Sequence, residues 1–289
     1  MPIRRRSGAE RVKVVTDSTA YLPPGSEEQL GVHIVPLRVH LGTRTAIDGV
    51  DVTPSVIASA LRDKQRVTTS RPSPAEFAAM YRRCLDEGAD HVVSIHIAAA
   101  LSGTWESAVL ASQDFPHGVV RVVDSRSTAG ALGFAVLAAA ERAAAGAPAA
   151  EVQGVATNVV DHTQTLFYVD TLEYLRRGGR IGTAAALFAT SLSFKPLLQM
   201  VEGSIVALEK VRTASKATAR LVQLTIEAAG VDEVDIAVHH VDARARADAV
   251  AAALRDGVPR VRTLHVAELG PVVAAHLGPG AIGTVVARH

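Results

Sequence analysis

Bulky apolar positions recur along this chain in two rhythms. Short runs rich in β-branched residues, at about 12–16, 33–39, 91–97 and 119–124, alternate with longer stretches of helical period. Val12–Thr16 and Val119–Asp124 read as buried strands, and His33–His40 reads as a strand that Pro36 confines to a sheet edge. Helix starts lie between them. Thr53-Pro54 gives a cap followed by proline, and Ser73-Pro74-Ala75-Glu76 gives a capping box with proline in the first turn. Gly88 closes the second of these helices, and an alanine-rich helix runs from beyond Ser127 to near Gly146. Strands alternating with helices predict a mostly parallel sheet covered on both faces, with ligands at the carboxyl ends of the strands.

The second half has another pattern. Thr165–Val169 reads as a strand, and Thr171–Gly182 as a short helix with a glycine turn and a return. Phe194–Val201 and Ser204–Val211 flank Glu202-Gly203, a hairpin signal foreign to an all-parallel sheet. A helix (about 214–229), a strand (235–240), a helix (243–255), a strand (261–266) and a final strand after the glycine-proline turn complete a mixed α/β half. Gly146–Glu151 reads as the linker. We therefore expect a tail over 1–10, an N-terminal α/β domain over 11–148 and a C-terminal mixed α/β domain over 149–289.

Composition narrows the function. Hydrophobic residues make up 48% and charged residues 20% of 289, the balance of a globular chain, and this length buries roughly 75% of the unfolded surface. Thirty Lys and Arg against 29 Asp and Glu leave no basic field for nucleic acid or an anionic membrane. No apolar run follows Arg4-Arg5-Arg6, so it reads as a solvated tail and not a signal peptide, and no stretch reaches the length of a transmembrane segment. Cys84 is the only cysteine; it reads as a buried helical thiol, and a reducing cytoplasm is the expected compartment. The eleven histidines form no metal pair. His239 and His240 sit on one strand and face opposite ways.

The candidate chemistry lies in polar turns. Asp17-Ser18-Thr19 ends the first strand, Thr68-Thr69-Ser70 precedes the capping box in extended chain, and Ala98–Trp105 (AAALSGTW) joins a strand to a helix. Helix N-termini offer unpaired N–H groups to an anion, and Ser102 or Thr104 adds a hydroxyl. The same Ser102 also reads as a simple helix cap. The Leu101–Trp105 turn lacks the frame of a nucleophile elbow and the glycines and lysine of a phosphate loop, and Gly178-Gly179-Arg180 is no dinucleotide fingerprint. Hydroxyls, a helix start and one remote histidine suit a carboxylate held by hydrogen bonds, without a buried full cation. Arg176, Arg177, Arg180 and Arg212 read either as solvated residues beside turns or as a docking surface for an acidic or phosphate-bearing partner. His276 alone reads equally as a structural histidine.

Eight blocks in order, from Val14–Pro23 through the Thr68–Ser73, Leu101–Trp105, Val122–Ser127, Thr171–Gly182, Lys195–Leu198 and Lys210–Thr213 segments to Ala274–Gly283, resemble the DegV family of bacterial fatty-acid-binding proteins. The resemblance covers about residues 12–287. It implies a three-layer α/β/α N-terminal domain, a mixed C-terminal domain and a fatty acid in a tunnel between them. It implies that Thr69 and Ser102 bind the acyl carboxylate with His276 in the surrounding network, and we expect Ser70, Gly103 and Thr104 beside them. Arg180 and Arg212 match positions assigned to the head-group or kinase-facing side. The implied role is non-catalytic: the protein holds a long-chain fatty acid, its only ligand and no cofactor, and presents the carboxylate to a separate ATP-dependent fatty acid kinase. Ala98 and Ala99 stand where family members often carry serines, and Arg71 stands where glutamine is common. Two competing readings remain at this point: an independent hydrolase or phosphotransferase using Ser102 or His276, and a sensor of another amphiphile.

Overall fold

A computed structural model describes residues 10–189 and 194–289, so the Arg4–Arg6 cluster lies outside the described residues. The first half runs β1 (Val12–Asp17), α1 (Ser26–Leu30), β2 (His33–Val35), β3 (Arg38–Leu41), β4 (Arg44–Ile47), α2 (Pro54–Arg62), β5 (Val67–Ser70), α3 (Pro74–Asp86), β6 (His91–His96), α4 (Thr104–Ser112), β7 (Val120–Asp124) and α5 (Ala129–Ala144). There follow α6 (Ala149–Asp161), β8 (Thr163–Tyr168), α7 (Glu173–Arg177), β9 (Lys195–Val201), β10 (Ser204–Val211), α8 (Ala214–Ala229), β11 (Val234–His240), α9 (Arg244–Gly257), β12 (Val261–Glu268), α10 (Pro271–Leu277) and β13 (Ile282–Arg288).

Three sheets result. A parallel sheet has the order β2-β1-β6-β7. Phe77, Tyr81 and Cys84 of α3 and Ala108 of α4 cover one face, while Leu132 and Val136 of α5 and Val152 and Ala156 of α6 cover the other. This is the expected three-layer arrangement. Helix α6, which the sequence reading placed beyond the linker, packs on this sheet beside α5. A six-stranded sheet, β10-β9-β8-β13-β11-β12, is antiparallel throughout except for the parallel pair β11–β12. The β9–β10 turn has left-handed backbone at both Glu202 (φ 46°) and Gly203 (φ 78°), the geometry that matches the twist of a tight hairpin.

The third sheet, antiparallel β4-β3-β5, corrects the sequence reading. The single strand expected over 33–40 is two. Pro36 lacks an N–H and ends β2, and Leu37 N donates instead to Ser18 Oγ at 3.1 Å. The chain then leaves the parallel sheet to form β3. The segment read as merely extended over 68–70 pairs with β3 as β5.

The largest buried cluster joins Leu37, Val39, Ile57 and Leu61 of this small sheet and α2 to Phe167, Leu198, Ile205 and the α10 residues Val272–Ala275. A smaller contact sets Ala131 and Phe134 of α5 on Ala237, Val285 and Ala287. Among the described residues no helix is long and apolar enough to cross a membrane, and no three His, Cys, Asp or Glu side chains group as metal ligands would.

Candidate functional site

Inside the largest cluster lies a cavity of about 830 Å³, its mouth included. Most of its wall is hydrocarbon, from Leu37, Ile97, Leu175, Ile205, Val272 and their neighbours, a lining suited to an apolar ligand. Thr69, Ser102, Arg180 and His276 supply polar groups. These four come from β5, the β6–α4 turn, the turn after α7 and the last turn of α10, so the fold assembles them from segments up to 207 residues apart.

Each is held by local structure. Thr69 Oγ1 lies 2.9 Å from His276 Nε2. Burial, and then the nearby Arg180 guanidinium, push the His276 pKa down to about 4, so the imidazole is neutral at pH 7. Its Nδ1 is buried without a partner. A bare N–H there would be the costlier orphan, so the proton belongs on Nε2, donating to Thr69 and freeing the threonine hydroxyl hydrogen for a ligand. The ring is seated against Gly178, where a Cβ would come within 2.2 Å of Nδ1. Helix α10 is anchored from the N-terminal half. Asp48 accepts from Val272 N (3.1 Å) and Ser18 Oγ (2.7 Å), and the Tyr21 hydroxyl accepts from Val273 N (3.3 Å). Burial raises the Asp48 pKa to about 6.

Ser102 Oγ accepts from Thr104 N (3.3 Å) and lies 2.8 Å from Thr104 Oγ1. It lines the cavity and packs its hydroxyl on the first turn of α4, but it is not the N-cap the sequence reading offers. Thr104 is fully buried behind it, and Gly103 is the N-cap residue, its carbonyl accepting from Arg71 Nη1 (3.2 Å). Arg180 donates from Nε to the Leu101 carbonyl (2.8 Å) and from Nη1 to the Gly178 carbonyl (2.6 Å). A fixed guanidinium therefore lines this cavity; the local motifs alone suggest hydroxyls without a buried cation, whereas the resemblance puts Arg180 on the head-group or kinase-facing side.

Gly103 and Thr104 thus stand behind the cavity wall, and two further expected residues lie elsewhere. Ser70 alternates to the opposite face of β5 from Thr69 and sits 2.8 Å from His40 Nε2. Arg212 is exposed beyond the end of β10 and is not part of the cavity wall. Ala98 is fully buried and close under the Gly203 turn. Asp17 and Thr19 of the first polar turn also face inward, and no residue of that turn lines the cavity. Asp17 is fully buried and accepts from Thr19 N (3.0 Å), Thr19 Oγ1 (2.6 Å) and Ile97 N (2.9 Å).

Asp17 also ends a chain of contacts that the sequence did not disclose. Tyr81 donates to Ser94 Oγ (2.9 Å), Ser94 Oγ lies 2.6 Å from His96 Nε2, and His96 Nδ1 lies 3.1 Å from Asp17. The Ser–His–Asp order is that of a nucleophilic triad, yet all three side chains are sealed in the parallel-sheet core. The signal was alternation along β6, which puts Ser94 and His96 on one face.

An outer pocket shares Thr69, Arg180 and His276 with the cavity and carries Lys64, Arg66 and Arg177 at its rim. Thr69, Arg180 and His276 therefore stand between the cavity and a basic basin, the charge an anionic group on that side would meet.

The model for the DegV family of uncharacterised proteins matches residues 11–289. A DegV domain-containing protein of Streptomyces coelicolor is 52% identical over 281 residues, covering 97% of this chain and all of that one. Another, from Mycobacterium tuberculosis, is 41% identical over 276 residues, covering 95% and 96%. Among solved structures, a DegV family protein from Thermus thermophilus described by its fatty acid binding superposes with a TM-score of 0.92 at 37% identity, over 96% of this chain and all of that one. DegV from Bacillus subtilis, described as a fatty acid binding protein, gives 0.87 at 31% identity over 97% and 100%.

Proposed function

This chain belongs to the DegV family, and on that premise we propose that it holds a long-chain fatty acid in the apolar cavity and presents the carboxylate to a separate ATP-dependent fatty acid kinase. The observation that carries the reading is the make-up of the cavity, hydrocarbon over most of its wall with Thr69, Ser102, Arg180 and His276 among its polar groups, Thr69, Arg180 and His276 being shared with the basic basin. Burying the chain is worth roughly 0.8 kcal/mol per methylene, so the tail dominates affinity while the hydroxyls fix the head.

The carboxylate accepts from the Thr69 and Ser102 hydroxyls, with neutral His276 holding Thr69 in its donor orientation. Arg180, committed through Nε and Nη1 to carbonyls, offsets the head's charge without moving toward it. The basin beyond, with Lys64, Arg66 and Arg177, is the side from which the kinase brings its nucleotide. Phosphoryl transfer is the kinase's chemistry; this protein contributes binding and orientation and works in the cytoplasm. His276 has no carboxylate behind Nδ1, so nothing in its surroundings favours Ser102 or His276 as an independent hydrolase.

Native mass spectrometry of the freshly purified protein tests the first half of the reading. A co-purified acid of the long-chain class is expected; an empty protein that also fails to take up palmitate or oleate overturns it. Ser102→Ala combined with Thr69→Ala tests the second half. Acyl-phosphate formation with added kinase should fall at least tenfold while the melting transition stays cooperative, and unchanged turnover would refute the assignment.

A further inference from the structure

The apolar cavity has a second polar neighbour, and the residues between the two form its neck. Thr165 and Met200 of its wall also line a neighbouring pocket of about 930 Å³, open solvent at its mouth included, walled by Ser125, Arg126, Gln164, Gln199 and Glu202 among others. No residue of this neck belongs to the one at the basic basin, which is formed by Thr69, Arg180 and His276. With the head at the basin, Thr165 and Met200 form the other polar boundary a tail can meet. Thr165 is fixed: it pairs with Val285 across β8–β13, and its hydroxyl lies 3.3 Å from Ser127 Oγ. Met200, paired with Ile205 across β9–β10 and half-buried, is an unbranched and adaptable side chain. Beyond it Arg126 bridges Glu202 (2.9 Å) and Asp161, so methylenes that passed the neck would leave hydrocarbon for charged groups.

We propose that Met200 is the stop that sets the acyl-chain length this protein accepts. The inference rests on the fatty-acid reading above and adds to it the residue that selects among fatty acids. Up to the stop, each added methylene gains about fourfold in affinity. Past it the gain ends, because the chain must displace the thioether or enter the polar chamber. Met200→Ala removes Cγ, Sδ and Cε and vacates room for about three chain carbons. Met200→Phe fills the neck and shortens the space. Met200→Leu, close in volume, is the control.

The test is the dissociation constant of saturated fatty acids of increasing length, measured by calorimetry on wild type and the three variants after melting curves establish folding. The expected result is a break in the length profile that moves to longer chains in Met200→Ala, to shorter chains in Met200→Phe, and stays put in Met200→Leu. One break shared by all folded variants overturns the proposal while leaving the fatty-acid reading intact. No binding of any acid by wild type overturns both. Should one variant fail to fold, the displacement or constancy of the break in the other decides.

Discussion

Gly178→Ala separates packing around His276 from everything else a glycine does. Gly178 closes α7 with helical backbone, φ −74° and ψ −13°, so alanine meets no conformational penalty. On backbone grounds alone the substitution stabilises by about 0.4–1 kcal/mol, by restricting the unfolded chain. The new Cβ, however, would stand 2.2 Å from His276 Nδ1 and 2.8 Å from Cε1. The ring must retreat by about 1.5 Å to reach an ordinary contact. Overpacking of that kind costs about 1–3 kcal/mol, and a strained or lost 2.9 Å bond to Thr69 costs about 0.5–1.5 more. The sign therefore reverses: net destabilisation of about 2 kcal/mol in urea unfolding, with palmitate affinity lowered two- to tenfold by calorimetry. A double-mutant cycle isolates the cause. In a His276→Ala background the clash is gone and Gly178→Ala should stabilise. A single variant as stable as wild type, with unchanged affinity, would refute the seating of His276 against this glycine.

Three further outcomes follow from groups already described. His276 has a folded pKa of about 4 against about 6.5 when unfolded, so the unfolded state binds the extra proton as pH falls and stability from this group is lost below pH 6.5. Between pH 7 and pH 5 the stability gap between wild type and His276→Gln should shrink by about 2 kcal/mol, the Asp48 contribution cancelling because both proteins share it; a constant gap would contradict a neutral, buried ring. Cys84 is fully buried with its pKa raised to about 11, so a thiol reagent at pH 8 should label it only at the rate of structural opening, and prompt native labelling would count against that burial. Ser94 should resist fluorophosphonate labelling in the native protein despite its triad-like neighbours, and a mass increment on Ser94 would show that the sealed arrangement is accessible.

The sequence disclosed what local chemistry dictates. The capping box at Ser73 forms with both of its reciprocal bonds, and the Glu202-Gly203 turn forms a hairpin. The alternation of strands and helices carries through to the three-layer sheet. What stayed hidden depends on register between distant strands. Met200 reaches the tail neck because β9 pairs with both β8 and β10, and Asp17 meets His96 because β1 pairs with β6 across 79 residues. Neither spacing leaves a local trace. Helix α6 does not show in the sequence: its first three residues fall in the Gly146–Glu151 stretch that reads as linker, and its buried face is only Ala149, Val152 and Ala156, too small to stand out by hydropathy. Ser70 and Thr69 looked alike as hydroxyls; strand alternation alone separates their fates.

The small sheet of β3, β4 and β5 belongs by sequence to the first half, yet its apolar side is completed by side chains from beyond residue 160. Each half on its own would therefore leave an oily wall open to water, and a chain severed between Gly146 and Pro148 would yield two sticky fragments rather than two working modules. During synthesis the front portion must wait, partly unclothed, until the last helix emerges to cover it. The apolar cavity exists only once segments from both halves of the polypeptide have met.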